Sequence, residues 1–147
     1  MGDNIIGTEE IILDAHVGPD DVIYLTIAGK ITNVHLSDFV VWTETVKKLV
    51  QEMSQKNSGH VLMLTDVSNV QHFESQPVTP LKELLTFNKQ YTISSAIIGA
   101  KDFTRTLLDA LLILTARKDI HQFPTKAEGL VWLKMERAKK LPFDIAR

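Results

Sequence analysis

The sequence predicts an α/β fold: one mainly parallel sheet of about five strands with about four helices. Two short apolar runs point to it, "HVLMLTD" at 60–66 and "ISSAIIGA" at 93–100. Both are too short for a helix and too continuous for a sheet face open to water, so they suit strands covered on both faces. Stretches of helical spacing stand between and after them. Alternation of this kind means parallel strands joined by right-handed crossovers, with helices lying on the sheet.

The elements follow in order. Residues 5–17, "IIGTEEIILDAHV", form a short leading strand, and "GPD" at 18–20 is turn chemistry. "DVIYLTIAGKI" places Ile23, Leu25, Ile27 and Ile31 on one face and Val22, Tyr24, Thr26 and Ala28 on the other, a strand inside a covered sheet. The short turn before it pairs these two strands antiparallel at one side. Residues 35–55 carry a helical stripe of Leu36, Phe39, Val40, Val46, Leu49, Val50 and Met53. "KNSG" at 56–59 ends that helix. A second helix is expected at 79–90, with Thr79 as N-cap and Pro80 in the first helical position. A third spans 102–116 with Asp102 as cap; "IHQFP" is a short strand; and Thr125 with Glu128 in capping-box spacing opens a last helix at 125–137.

The 147 residues fit one domain, with a core at about 20–135 and a C-terminal helical tail at 134–147. Apolar residues make up 44% and charged residues 23%, a globular balance. A net charge of −2 offers nothing to nucleic acid or to an anionic membrane. The longest apolar run, "LLDALLILTA" from Leu107, is half of the roughly 20 residues a spanning helix needs, and it contains Asp109. "MGDNIIGTEE" is acidic, with Ile6 where a myristoylation signal wants Ser or Thr. With no cysteine, disulfides and thiol chemistry are excluded, in keeping with a cytoplasmic protein.

Catalytic motifs are missing. The glycines, at 2, 7, 18, 29, 59, 99 and 129, make neither a dinucleotide fingerprint nor a phosphate-binding loop. There is no G-x-S-x-G elbow. The histidines, at 16, 35, 60, 72 and 121, give no local metal pair, so neither metal nor cofactor is expected. Asp66 reads first as ending a strand and closing the next turn with an Asx bond; its place at the C-terminal end of a parallel strand, where crevices in such sheets open, also suits a site.

"LTDVSNVQHFESQPVTPL" resembles the central motif of STAS domains, the anti-sigma factor antagonist fold: an apolar strand, Asp-Leu-Ser-Gly-Val, an apolar pair, Asp-Ser-Ser/Thr-Gly-Leu, then a helix. Asp66, Ser68 and Val70 match; Asn69 stands for the usual Gly and tolerates the same left-handed backbone; Phe73 keeps an apolar position; Glu74 replaces the Asp. Ser75 falls on the serine that partner-switching kinases phosphorylate in that family. Gln76 and Pro77 depart from the motif, replacing a hydroxyl residue and the Gly that lets a partner approach. "DIHQFPTKAEGLVWL" resembles the closing segment of SpoIIAA-like proteins, the STAS/CRAL-TRIO-related group, through Phe123, Ala127, Leu130, Trp132 and Leu133, with Gly129 for the usual Ala. The resemblance covers the region 20–135.

It implies a non-enzymatic regulatory module with a protein partner, such as a regulatory kinase or an anti-sigma-like protein. Ser75 would be the phosphoacceptor, and Asp66, Ser68, Asn69, His72, Glu74 and Thr79 would form the interaction loop around it. The alternative it implies is a carrier or sensor of a small apolar or lipid-like ligand held between helices and sheet, with Phe87, Phe103, Leu107 and Leu111 as the apolar candidates. Helix 102–116 is apolar almost all round and needs more cover than one sheet face supplies; a homodimer is the expected cover. The basic stretch "KMERAKK" reads as a solvated helix end, and Leu141 and Phe143 as residues that dock on a partner or on their own domain.

Overall fold

The computed structural model describes residues 11–56 and 59–140. The start of the expected leading strand, the turn residues 57 and 58, and the tail with Leu141 and Phe143 lie outside the described residues.

The chain forms β1 (Ile12–Val17), β2 (Val22–Ile31), a 3-10 turn (Asn33–His35), α1 (Leu36–Lys56), β3 (His60–Asp66), β4 (Val70–Phe73), α2 (Ser75–Asn88), β5 (Thr92–Ile98), α3 (Asp102–Leu114), β6 (Ile120–Phe123) and α4 (Lys126–Lys140). One sheet runs β1-β2-β3-β5-β6, with β4 also on β2. β1 is antiparallel to β2 and every other pairing is parallel. β4 continues along β2 where β3 leaves off: Thr26 stands opposite Asp66, and Gly29 opposite Val70. β3 and β4 are thus one strand interrupted by a turn. The sequence pattern gave no sign of β4, because "VQHF" is short and half polar; its pairing with β2 makes it a strand.

Spatial order follows chain order, so every right-handed crossover steps the same way and lays its helix on the same face. Phe39, Trp42, Val46 and Val50 of α1, Leu81 and Leu84 of α2, and Leu108 and Leu111 of α3 pack there against Ile23, Leu25, Met63 and Ile97. α4 alone covers the other face, seating Leu133 on Leu62, Leu64, Ala96 and Ile98. Gly129 allows this, since a Cβ there would lie 2.5 Å from Ile98 Cδ1. Beyond the reach of α4, β1 turns Ile12, Asp14 and His16 outward to solvent.

Three expectations are corrected. α2 begins at Ser75, not near Thr79, which is an exposed residue of its second turn. Glu74 occupies the N-cap position, and Pro77 falls in the first turn, where an N–H is not needed. Pro80 lies inside the helix; its missing bond would have gone to the carbonyl of the exposed Gln76, which water can serve, while both prolines bury their rings. The N-cap position of α3 is Lys101, not Asp102, which has φ +43°. In α1, Trp42 and Thr43 are buried and Val40 faces outward, because Trp42 Nε1 reaches across to donate to the Asp14 carbonyl at 2.9 Å.

Candidate functional site

The loop between β3 and α2 is built around Asp66. Its Oδ1 accepts from the Ser68 amide at 2.9 Å and from the Ser68 hydroxyl at 2.6 Å, an Asx turn that closes the gap between β3 and β4. Asn69 is exposed, and its carbonyl accepts from the Gly29 amide at 2.9 Å. The left-handed backbone expected at Asn69 is absent; Gly29, on the neighbouring strand, has φ +97° beside a register shift instead. The loop leans on the next one: Gly99, at φ +75°, passes so close to Ser68 that a Cβ on it would sit 2.5 Å from Ser68 Cβ. Ser68, Asn69 and Gln71 form one wall of a groove whose other wall is Lys101, Asp102 and Phe103.

At the far end of the loop the start of α2 is tied to the 3-10 turn. Glu74 donates its amide to the Ile31 carbonyl at 2.8 Å, and its Oε1 accepts from the Asn33 amide at 2.7 Å. Asn33 Oδ1 in turn accepts from the Gln76 amide at 3.0 Å. This clamp uses one of the N–H groups a helix start leaves open, and Pro77 has none to offer. Ser75, between the clamped residues, is exposed. His72 is exposed too, with Nε2 3.9 Å from Glu74 Oε2 and its ring stacked on Phe103, centroids 6.1 Å apart.

Phe103 begins an exposed apolar strip on α3. Phe103 is 49% exposed, Ile113 79% and Leu114 67%. At helical spacing Phe103, Leu107, Ala110 and Leu114 share one stripe, beside the buried stripe of Thr104, Leu108, Leu111 and Thr115. α3 is therefore covered along one side only.

No family model and no curated protein matches this sequence. Among solved structures it is similar to the crystal structure of an uncharacterized protein from the DUF3478 family with a SpoIIAA-like fold, from Shewanella loihica PV-4. The two superpose with a TM-score of 0.52 at 18% identity, over 90% of this chain and 98% of that one. The fold of this chain is SpoIIAA-like.

Within this SpoIIAA-like fold the loop residues fall into two groups: Asp66, Ser68 and Asn69 close the turn after β3, opposite Thr26 and Gly29, whereas His72, Glu74 and Ser75 lie at the far end of β4, opposite and beyond Lys30, where α2 begins. The four apolar candidates do not gather. Phe87 lies against Tyr91 under Lys47, Phe103 sits on the surface beside His72, and Leu111 is 2% exposed in the core. Only Leu107 among these four lines the cavity that separates α2, α3 and the sheet, a space of about 60 Å³. Buried Arg117 stands in the cavity wall, donating from Nε and Nη2 to Asp119 at 2.7 and 2.8 Å and from Nη1 to the Leu85 carbonyl at 2.9 Å. Sequence spacing also missed His60 and Ser94, brought together by the β3–β5 pairing with Nε2 3.2 Å from Oγ. Ser94 is only 6% exposed, too enclosed for a nucleophile as it stands. Among the described residues there is no cluster of three metal-ligating side chains and no helix long and apolar enough to cross a membrane.

Proposed function

We propose that the chain is a non-enzymatic regulatory module that binds another protein through the surface running from the 68–77 loop along α3. The observation that carries this reading is the exposed strip of Phe103, Ile113 and Leu114, joined to the loop by the Phe103–His72 stack. Large apolar side chains left in water on one helix mark an interaction surface. The strip suits a second copy of the chain, because an apolar helix packs on its own twin about a two-fold axis without charge mismatch.

Ser75 is the place where such a surface would be switched. A phosphate there brings a charge of about −1.5 to −2 next to Glu74. The helix dipole favours it, but the Gln76 amide is already engaged by Asn33 and Pro77 has no N–H. Repulsion from Glu74 then competes directly with the Asn33 clamp, so modification loosens the start of α2.

Sedimentation velocity tests the module. A concentration-dependent dimer is expected for the native chain, and Ile113→Asp with Leu114→Asp should give a folded monomer with unchanged circular dichroism. A 16.5 kDa particle at every concentration would remove the homodimer. The switch is tested by Ser75→Asp beside Ser75→Ala in pull-downs from cells: a partner held by Ala and released by Asp supports it, and equal recovery ends it.

A further inference from the structure

A groove opens at the other end of the sheet from the 68–77 loop, where β5 and β6 begin. It encloses about 420 Å³ and is walled by Lys89 and Tyr91 ahead of β5, by Arg117 and Lys118 ahead of β6, and by Trp132 of α4. That volume lies within the roughly 300–1,000 Å³ of small-molecule sites. Ser94 and Arg117 belong to its lining although they are only 6% and 7% exposed. The Ser94 hydroxyl lies 3.2 Å from His60 Nε2. The half-buried Trp132 ring is propped by His121 at 4.6 Å and by Phe123 at 5.5 Å between centroids, which makes it a fixed aromatic wall.

We propose that this groove binds a small aromatic anion, its ring against Trp132 and its charge met by Lys89 and Lys118. The balance of charge decides the sign. Two carboxylates also line the groove, but both are already engaged: Asp119 accepts from Arg117 at 2.7 and 2.8 Å, and Glu136 accepts from Lys139 at 2.8 Å. Lys89 and Lys118 are exposed and form no ion pair among the described residues. The helix ends nearby do not claim them either. The last carbonyls of α2 and α3 accept from the amides of the turns that follow, and the Leu85 carbonyl accepts from Arg117. The groove therefore keeps a positive balance, which attracts an anion and repels a cation. A flat ring suits the Trp132 wall better than an aliphatic chain, because aromatic pairs gain from stacking beyond the area they bury. Where His60 Nε2 donates the bond it shares with Ser94, the Ser94 proton is left for the ligand. This site is separate from the cavity under α2 and α3, and the inference does not rest on the surface reading above.

Naphthoate, naphthamide and naphthylmethylammonium test it, as one ring system carrying a negative, a neutral and a positive group. In NMR titrations of the native chain the two indole N–H signals report separately, because Trp42 is held on the Asp14 carbonyl in the core and serves as the control. Naphthoate should give saturable shifts at the Trp132 indole and at the Ser94 and Lys118 amides while leaving Trp42 in place. It should bind roughly ten-fold tighter than naphthamide, the worth of one charge-assisted hydrogen bond, and added salt should narrow that margin. Lys89→Gln together with Lys118→Gln, both exposed positions, should bring naphthoate down to the affinity of the amide. Equal affinity for naphthoate and naphthamide in the native chain overturns the proposal, as does tighter binding of the ammonium or the absence of saturable shifts at Trp132. None of these overturning results depends on a variant that folds.

Discussion

Tyr24 shows how much one side chain can join. Its hydroxyl donates to Asp20 Oδ2, the His16 ring stacks on it at 5.6 Å, and Lys126 Nζ, at the start of α4, lies 5.3 Å from its centroid. Arg137, further along α4, donates to the Asp20 carbonyl at 2.6 Å. Burial, and then the bond to the Asp20 carboxylate and its charge, push the Tyr24 hydroxyl up to about 12. Burial pushes the Asp20 carboxyl upward, but the Tyr24 hydroxyl, backbone amides and Arg137 together bring it below its ordinary value. Because the folded state holds the Tyr24 proton more tightly, this contribution to stability is whole below pH 10 and is lost as pH rises towards 12. The Asp20 contribution runs the other way, lost as pH falls through the acid range. Denaturant titrations between pH 10 and 12 should therefore show a steeper loss of stability in the native chain than in Tyr24→Phe. Absorbance at 295 nm should lose its latest-ionising tyrosine in the variant. Matching slopes would mean that the hydroxyl is not held by Asp20. "GPDDVIY" holds both Asp20 and Tyr24 but reads only as a turn and a strand; Lys126 and Arg137, which complete the group, come from α4, more than a hundred residues away.

At the scale of elements, α2 is the instructive case. Thr79-Pro80 carries a strong helix-start signal, yet the chain begins its helix at Ser75 because Asn33 supplies an acceptor from outside and Pro77 needs no partner. Replacing Asn33 with Ala should remove about 1 kcal/mol and speed amide exchange in 74–78 while leaving β5 and α3 as protected as before. If exchange rises evenly across the domain, the clamp is not local. The elements that could be read directly are those whose signals are local. β3 and β5 announced themselves as unbroken apolar runs, and Thr125 does accept from the Glu128 amide at 3.2 Å, as the capping-box spacing required. β4 and the wall of the cavity could not be read, because Val70–Phe73 is a strand only by virtue of β2. Asn88, Ser95, Thr104 and Arg117 meet only when four separate segments are in place. Ser75 was legible only in part: the resemblance singled it out in the loop before a helix expected at Thr79, but not as the first residue of α2 between two clamped neighbours.

For the whole molecule, the deciding feature is a sheet wound in one direction. Among the described strands the order never reverses, and a reversal is where open α/β sheets usually hold ligands at their carboxyl ends. The cavity lies instead beneath α2 and α3, and the exposed apolar strip lies on α3, the helix at the end of the row. β2 is flanked by β1 on one edge and by β3 and then β4 on the other, so it should show the slowest amide exchange of any strand, with β6 and the outer edge of β1 the fastest. Fast exchange in β2 would contradict the pairing described above.

The same winding bears on how the chain comes off the ribosome. Each strand is laid beside a neighbour that has already been made, first β1 with β2, then β3, β5 and β6, so no early strand waits for a late one to fill a gap beside it. The exception is the second face. Val22, Leu62, Leu64, Ala96 and Ile98 have no helix over them until α4 emerges. A chain ending before residue 126 would thus carry every one of these strands with one apolar side of the sheet bare, the kind of surface that draws partly folded chains into aggregates.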